Sequence, residues 1–401
     1  MKHIVFVIGN YKNGGVAMHS TNLANEFAKK GYACTILVTG EMGKDVFFEL
    51  RDNVKVVSVS EYTELFKENK DVLKYLKKQQ AKIKFFKTLR YITRVLPKFD
   101  LLLAEEIRKI RKGIGLGAFA TNHRNSIYIP FGIDCYLNAF FAIKPLGCKI
   151  IYAERNASEV EIPKNERERL IKLVCKANGV VLQTENELAF YGNKLKNAAV
   201  INNPVKAGLP ERFTGERRKI IVNFCRISSQ KNLYLLVNAF SLLKDSHPDY
   251  TLEIYGNTVA YSEETLLADL KKYVTDKKMN DSIKFFPARA DIHNVVKDCA
   301  MFVSSSDYEG LSNSMLESLA IGLPCVCTDC LGGGARELIT DGENGLLVPM
   351  QDPESLYLAI KRFIEDSALS EKCSQNAVKV RDTHSAEKIA GKWLRYIESV
   401  I

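Results

Sequence analysis

The chain spells one pattern twice, and that repetition limits its fold more than any other feature. From the N-terminus, short apolar runs alternate with loops and helical stretches. Ile4–Ile8 reads as a strand, Val16–Lys30 as a helix, and Cys34–Val38 as a second strand after the helix-ending Gly31. Val54–Val59, Ile127–Pro130, Lys149–Tyr152, Gly179–Gln183 and Ala199–Ile201 follow as strands. Such alternation predicts a parallel sheet wrapped by helices. Asn202-Asn203-Pro204 interrupts it with a stiff turn. The pattern then restarts, with strands at Lys219–Phe224, Leu252–Tyr255, Ile283–Phe286, Met301–Val303, Cys325–Thr328 and Gly345–Val348.

A chain of 401 residues has room for two domains of about 200 residues each. The expected class is therefore α/β, with doubly wound domains at 1–203 and 204–385 and a hinge at Asn202-Asn203-Pro204. Both sets of strand C-terminal ends would face one central cleft, where open α/β sheets bind ligands. The last helix, roughly Ala386–Val400, carries Ile389, Trp393, Tyr396 and Ile397 at helical spacing. It is a candidate to pack back across the hinge onto the N-terminal domain.

Hydrophobic residues make up 46% and charged residues 26% of the chain, as in an ordinary soluble protein. Met1-Lys2-His3 runs straight into the first strand, so no signal peptide is expected. The most apolar stretch, Ile127 to Ile143, is broken by Pro130, Gly132, Asp134 and Asn138, and it falls short of the ~20 residues of a membrane span. Ten cysteines lie mostly in apolar runs, the habit of thiols in a reducing cytoplasm. Cys325-Val-Cys327-Thr-Asp-Cys330 has no partner cluster of metal-binding spacing and reads as a buried strand.

The net charge of +10 is concentrated: between Lys67 and Lys112 there are 15 Lys/Arg and 5 Asp/Glu. Val72, Leu76, Ile83, Phe85, Phe86, Leu89, Ile92, Val95 and Leu96 recur among these cations at helical spacing. Basic and apolar faces on one helix suit an anionic membrane surface. A solvated face over an ordinary core is the alternative. No recognised module or stacking motif supports nucleic-acid binding.

The sharpest chemical signal is Glu309-Gly-Leu-Ser-Asn-Ser-Met-Leu-Glu317, directly after a strand and the loop Ser304–Asp307. Gly310 permits a tight turn, and Ser312 or Asn313 can cap a helix over Met315–Ile321. Glu309 would then sit in the loop and Glu317 in the helix. The backbone N–H groups between them form an anion site suited to a diphosphate. Arg226-Ile-Ser-Ser-Gln-Lys231 leaves the strand Lys219–Phe224, and two cations there could neutralise a departing diphosphate. A solvated loop is the plainer reading of that stretch. Asn13-Gly14-Gly15 opens the first helix after the first strand; it lets backbone approach a ligand but does not match the G-x-G-x-x-G dinucleotide pattern.

Together with Glu154-Arg155-Asn156, Asn203-Pro204-Val205 and the stretch Gly333-Gly334-Ala335-Arg336-Glu337-Leu338-Ile339…Gly342-Glu-Asn-Gly345-Leu-Leu-Val-Pro349, these features resemble the retaining GT-B glycosyltransferases of the family 4 type over essentially the whole chain. The resemblance implies two Rossmann-like domains and a nucleotide-diphosphate sugar as donor, with a uridine carrier preferred. The reaction implied uses no metal and no other cofactor. Arg226 and Lys231 then correspond to the donor-phosphate pair, Glu317 to the residue that accepts from the ribose hydroxyls, and Glu309 to the carboxylate facing the donor sugar. Gly14, Gly15, Gly310, Leu311, Ser312 and Asn313 would offer backbone to sugar or phosphate, and the base would lie against Phe286-Pro287-Ala288-Arg289. Arg155 and Asn156 could face the acceptor, since the Glu-Arg-Asn motif is common in members that build bacterial surface polysaccharides. The implied acceptor is a glycan, polyprenyl-linked or close to the membrane. Some members use a cleft histidine; His19 and His123 are the nearest candidates here, both expected at the surface. A nucleotide-sugar epimerase and a non-catalytic nucleotide-sugar-binding protein are the alternatives on the same fold.

Overall fold

A computed structural model describes residues 2–12, 14–43, 49–65, 70–92, 97–259 and 261–401. Asn13 of the Gly14-Gly15 turn, and positions 67–69 and 93–96 of the basic segment, lie outside the described residues. Among the described residues, thirteen strands form two sheets. The first holds β1 (His3–Ile8), β2 (Ala33–Val38), β3 (Val54–Ser58), β4 (Ile127–Pro130), β5 (Lys149–Ala153), β6 (Gly179–Leu182) and β7 (Ala198–Val200). The second holds β8 (Arg218–Phe224), β9 (Thr251–Tyr255), β10 (Ile283–Phe286), β11 (Cys299–Ser304), β12 (Cys325–Thr328) and β13 (Leu346–Val348).

The sheet orders are β3-β2-β1-β4-β5-β6-β7 and β10-β9-β8-β11-β12-β13. Every pairing is parallel; Ile4 stands beside both Cys34 and Ile127, and Val222 beside both Glu253 and Phe302. In each sheet the order reverses beside its first strand in sequence, between β1 and β4 and between β8 and β11. Chain leaving the carboxyl ends at such a point diverges to opposite faces and opens a crevice. Continuous apolar runs fit strands covered on both faces: Ile4, Phe6 and Ile8 enter one core, Val5 and Val7 another.

The C-terminal helix Ala386–Val400 leaves the second unit and packs on the first. Ile389, Trp393 and Ile397 share a core with Ile4, Phe6 and Phe27 of the first sheet and the first helix, Gly15–Lys29. Tyr396 Oη accepts from Val180 N at 2.7 Å and lies 2.9 Å from the carbonyl of Asn197. A Cβ on Gly179 would collide with that hydroxyl.

The basic segment forms two helices, Lys70–Ile92 and Pro97–Asn122, lying against each other. Gly117 makes room for the Tyr75 ring, and Arg90 forks onto Asp100 at 2.6 and 3.0 Å. Phe85, Tyr91 and Leu102 remain 62%, 79% and 59% exposed. Among the described residues, no helix is long and apolar enough to cross a membrane.

Candidate functional site

The loops leaving β8 and β11 meet beside the switch point of the second sheet. After β8 the chain passes Arg226 and makes a short 3-10 turn, Ser229–Lys231. Asn232, with φ of 40°, redirects it into the helix Leu233–Leu243. Asn232 Nδ2 also donates to Asp307 Oδ1 at 2.9 Å, tying the two loops together.

Lys231 and Glu309 form an ion pair between these loops, their side chains only 15% and 12% exposed. Ser306 Oγ donates to Glu309 Oε1 at 2.8 Å, and Gln230 Nε2 reaches Oε2 at 3.3 Å. Three donors on one carboxylate fix its orientation. Burial opposes the Lys231 charge, but the Glu309 carboxylate outweighs it and holds the ammonium above its ordinary range. Arg226 stands further out and is half exposed, with Nε 3.4 Å from Glu263. One cation is fixed in the wall and the other stands at the mouth.

Glu317 lies in the helix Asn313–Ala320, capped by Ser312. Its Oε2 is 2.8 Å from Nε2 of the buried His293. Asn257 joins two further loops, accepting from Ile227 N at 3.1 Å through its carbonyl and from Ala288 N at 2.9 Å through its side chain. Arg289 pairs with Asp291 at the surface.

The first sheet supplies the opposing wall. A Cβ on Gly15 would come within 2.7 Å of Asn313 Nδ2, so the starts of two helices face each other. Asn313 Oδ1 accepts from Asn203 at 3.0 Å. Asn203 Oδ1 in turn accepts from Gln183 at 2.7 Å and from Arg155 at 3.2 Å. Gln183 Oε1 takes the Leu311 N–H at 3.3 Å. Side chains on Gly310 and Gly334 would collide with Gln183 Oε1 and with the Gly310 carbonyl.

Within Glu154-Arg155-Asn156, the glutamate shapes the loop and does not face the cleft. It is fully buried and accepts from Tyr152, Ser158 and the backbone of Arg155 and Asn156. Asn156 reaches Gln230 at 3.4 Å and Glu161 at 2.8 Å. Burial, reinforced by the Glu154 charge, pushes the Glu161 carboxyl up to about 7. Arg155 lies 4.4 Å over the Phe131 ring, with Nε and Nη2 buried and without hydrogen bonds.

The histidine expectations need correction. His19 is 2% exposed, beside Phe131 at 5.4 Å, with both ring nitrogens unpaired. The first helix turns this face onto its own sheet, so burial, and then the Arg155 charge, keep the ring neutral well below its usual range. His123 is half-buried and stacks on Phe119 at 4.1 Å in its own helical hairpin. Cys325, Cys327 and Cys330 are buried thiols. Among the described residues, no three His, Cys, Asp or Glu side chains are grouped to hold a metal.

The structure thus gathers Arg226, Lys231, Glu309, Gly310, Leu311, Asn313, Gly15, Arg155 and Asn156 in one cluster where the loops of the two sheets meet. Sequence reading missed Gln183, Gln230, Asn257 and His293. Three are amides, whose identity and spacing carry no chemical signature until tertiary contact gives them partners.

Residues 210–380 match the family model described as Glycosyl transferases group 1. An uncharacterized glycosyltransferase of Haemophilus influenzae is 23% identical over 396 residues, covering 98% of this chain and 99% of that protein. The N-acetylgalactosamine-N,N'-diacetylbacillosaminyl-diphospho-undecaprenol 4-alpha-N-acetylgalactosaminyltransferase of Campylobacter jejuni is 34% identical over 180 residues, 45% of this chain and 46% of its own. The chain therefore spans the whole of the first relative and about half of the second. Among solved structures, Anabaena HepE in complex with UDP superposes with a TM-score of 0.74 at 16% identity, covering 100% of each chain. The shared architecture is GT-B.

Proposed function

We propose that the chain, whose residues 210–380 match the group 1 model, is a GT-B glycosyltransferase that transfers a sugar with retention of configuration from a uridine-diphosphate donor to a lipid-linked or membrane-proximal glycan. The donor class is UDP-GlcNAc, UDP-GalNAc or a UDP-hexose, and the pathway is assembly of a cell-surface polysaccharide. The observation that carries this reading is the buried Lys231–Glu309 pair, with Arg226 at its mouth and the helix start at Asn313 alongside.

As the bond from the sugar's anomeric carbon to the diphosphate breaks, charge grows on the phosphate oxygens. Arg226, Lys231 and helix-start N–H groups stabilise it in place of a metal ion. A departing phosphate oxygen takes the acceptor hydroxyl's proton on the same face, so Glu309 orients the sugar and Lys231 and is not a nucleophile. Glu317 accepts from the ribose hydroxyls. Ala288 and Arg289 flank the base. HepE was solved with UDP, and the Campylobacter relative is named for a diphospho-undecaprenol acceptor; both support these choices.

We place the enzyme in the cytoplasm, peripheral on the inner face of the membrane. Exposed Phe85 and Tyr91 share the helix Lys70–Ile92 with Lys77, Lys78, Lys82, Lys84 and Lys87, a pairing suited to anionic lipid. Flotation with anionic vesicles tests this, and binding that survives charge reversal of these lysines refutes the electrostatic account. A thermal-shift screen of nucleotide sugars tests the donor, since a ligand near 100 times its Kd stabilises by about 2.7 kcal/mol. Product anomeric configuration, with and without EDTA, tests retention and metal independence.

A further inference from the structure

We infer that His293 is a positioning residue that sets the Glu317 carboxylate for the donor's ribose. The inference rests on the reading that Glu317 meets the ribose. His293 Nε2 and Glu317 Oε2 are 2.8 Å apart, and their side chains are only 7% and 11% exposed. A carboxylate oxygen accepts, and the matching tautomer is the one in which Nε2 carries the hydrogen and donates it. The ring is held in turn by the edge of Phe224 at 5.8 Å, and its short helix, Ile292–Val296, is anchored by the buried Ile292 and Val296.

A glutamate side chain has three rotatable bonds, and in a helix it swings freely unless a partner stops it. With Oε2 occupied by His293, Oε1 is the oxygen left to face the cleft. That single bond also connects the two parts of a nucleoside site. The helix of His293 follows directly from the loop Phe286–Arg289, expected against the base, while Glu317 lies one turn beyond the start of the helix Asn313–Ala320, expected near the phosphates. Nothing in the charge pattern of the sequence pairs these two residues, which are 24 positions apart.

The test compares Kd values for UDP and 2′,3′-dideoxyuridine diphosphate by calorimetry, with GDP and its dideoxy analogue run in parallel. The proteins are wild type, Glu317→Met, His293→Leu and His293→Gln. Losing a hydrogen bond to a charged group weakens binding by about tenfold or more, so wild type is expected to prefer the ribonucleotide by about that factor. His293→Leu should reduce the preference to ~2-fold or less by releasing Glu317, and His293→Gln, which keeps a donor, should recover much of it. Donor KM should rise in His293→Leu with kcat little changed. The preference is a ratio within the folded population, so partial unfolding does not distort it. If His293→Leu does not fold, His293→Asn, whose amide is too short to reach Glu317, carries the same test. A preference that persists in the Leu or Asn variant overturns the inference and leaves the ribose reading standing. A wild type without preference, or a Glu317→Met variant that keeps it, overturns the ribose reading itself, as does failure of both UDP and GDP to bind.

Discussion

Lys231 and Glu309, 78 positions apart in the chain, close into a buried ion pair where the loops after β8 and β11 meet. The pair makes the cation available and keeps it in place, because a lone ammonium or carboxylate there would be costly to bury.

Lys231→Ala is therefore expected to do two kinds of damage. Turnover should fall by about 100-fold or more if the ammonium stabilises the departing phosphate. Unfolding free energy should drop by about 3–5 kcal/mol, because Glu309 keeps its burial and loses its counter-charge. The double variant Lys231→Met, Glu309→Gln should recover most of the stability in urea titrations and none of the turnover. Recovery of activity would refute the phosphate role.

Arg226→Ala should behave differently. Arg226 is 52% exposed and its partner Glu263 lies 3.4 Å away, so stability should change by only ~0.5 kcal/mol. UDP affinity, measured by calorimetry, should weaken by about tenfold from loss of a charge-assisted contact.

Gly310→Ala tests the close approach of the two walls. An added Cβ would meet Gln183 Oε1 and come within 3.2 Å of Asn156 Cα. Gln183 cannot simply turn away, since its amide is also bonded to Asn203 at 2.7 Å. Donor KM should rise several-fold, with a small loss of thermal stability. Unchanged kinetics would show that the walls separate during turnover.

Stability should fall in mild acid. Burial is the largest cause in lowering His3 and His384 to about 4 and His19 well below its usual range. These rings gain protons in the unfolded chain near pH 6.5 but resist them when folded. The unfolded state thus binds more protons between about pH 6.5 and pH 4, and stability declines as pH falls through that window. Melting curves for wild type and His384→Gln check this: the variant should show a shallower decline.

Trp393→Ala should cost about 3–5 kcal/mol, because its fully buried ring fills the core beneath the first sheet. Denaturant titration followed through both units would show whether losing this helix weakens the first sheet preferentially.

Much of this molecule was legible in the sequence. The apolar runs at Ile4–Ile8 and Lys219–Phe224 appear as β1 and β8, each extended by a residue. Ser312 caps its helix as the turn chemistry predicts, although the helix begins at Asn313, two residues before Met315. Such features depend on near neighbours in the chain: strand periodicity, a hydroxyl before free N–H groups, a glycine at a helix end. Charge supplied the rest, since Arg226, Lys231, Glu309 and Glu317 stand out beside strand ends.

The sequence alone determined the two-sheet α/β plan and the residue types lining the mouth of the cleft, because both arise from local periodicity and short spacings. Only the tertiary structure decided which groups pair. It set Lys231 on Glu309 and His293 on Glu317, and threaded Gln183 and Asn203 between the walls. The reason is physical: a buried polar group is satisfied by whatever donor or acceptor the fold brings within about 3 Å, and that partner can come from anywhere in the chain.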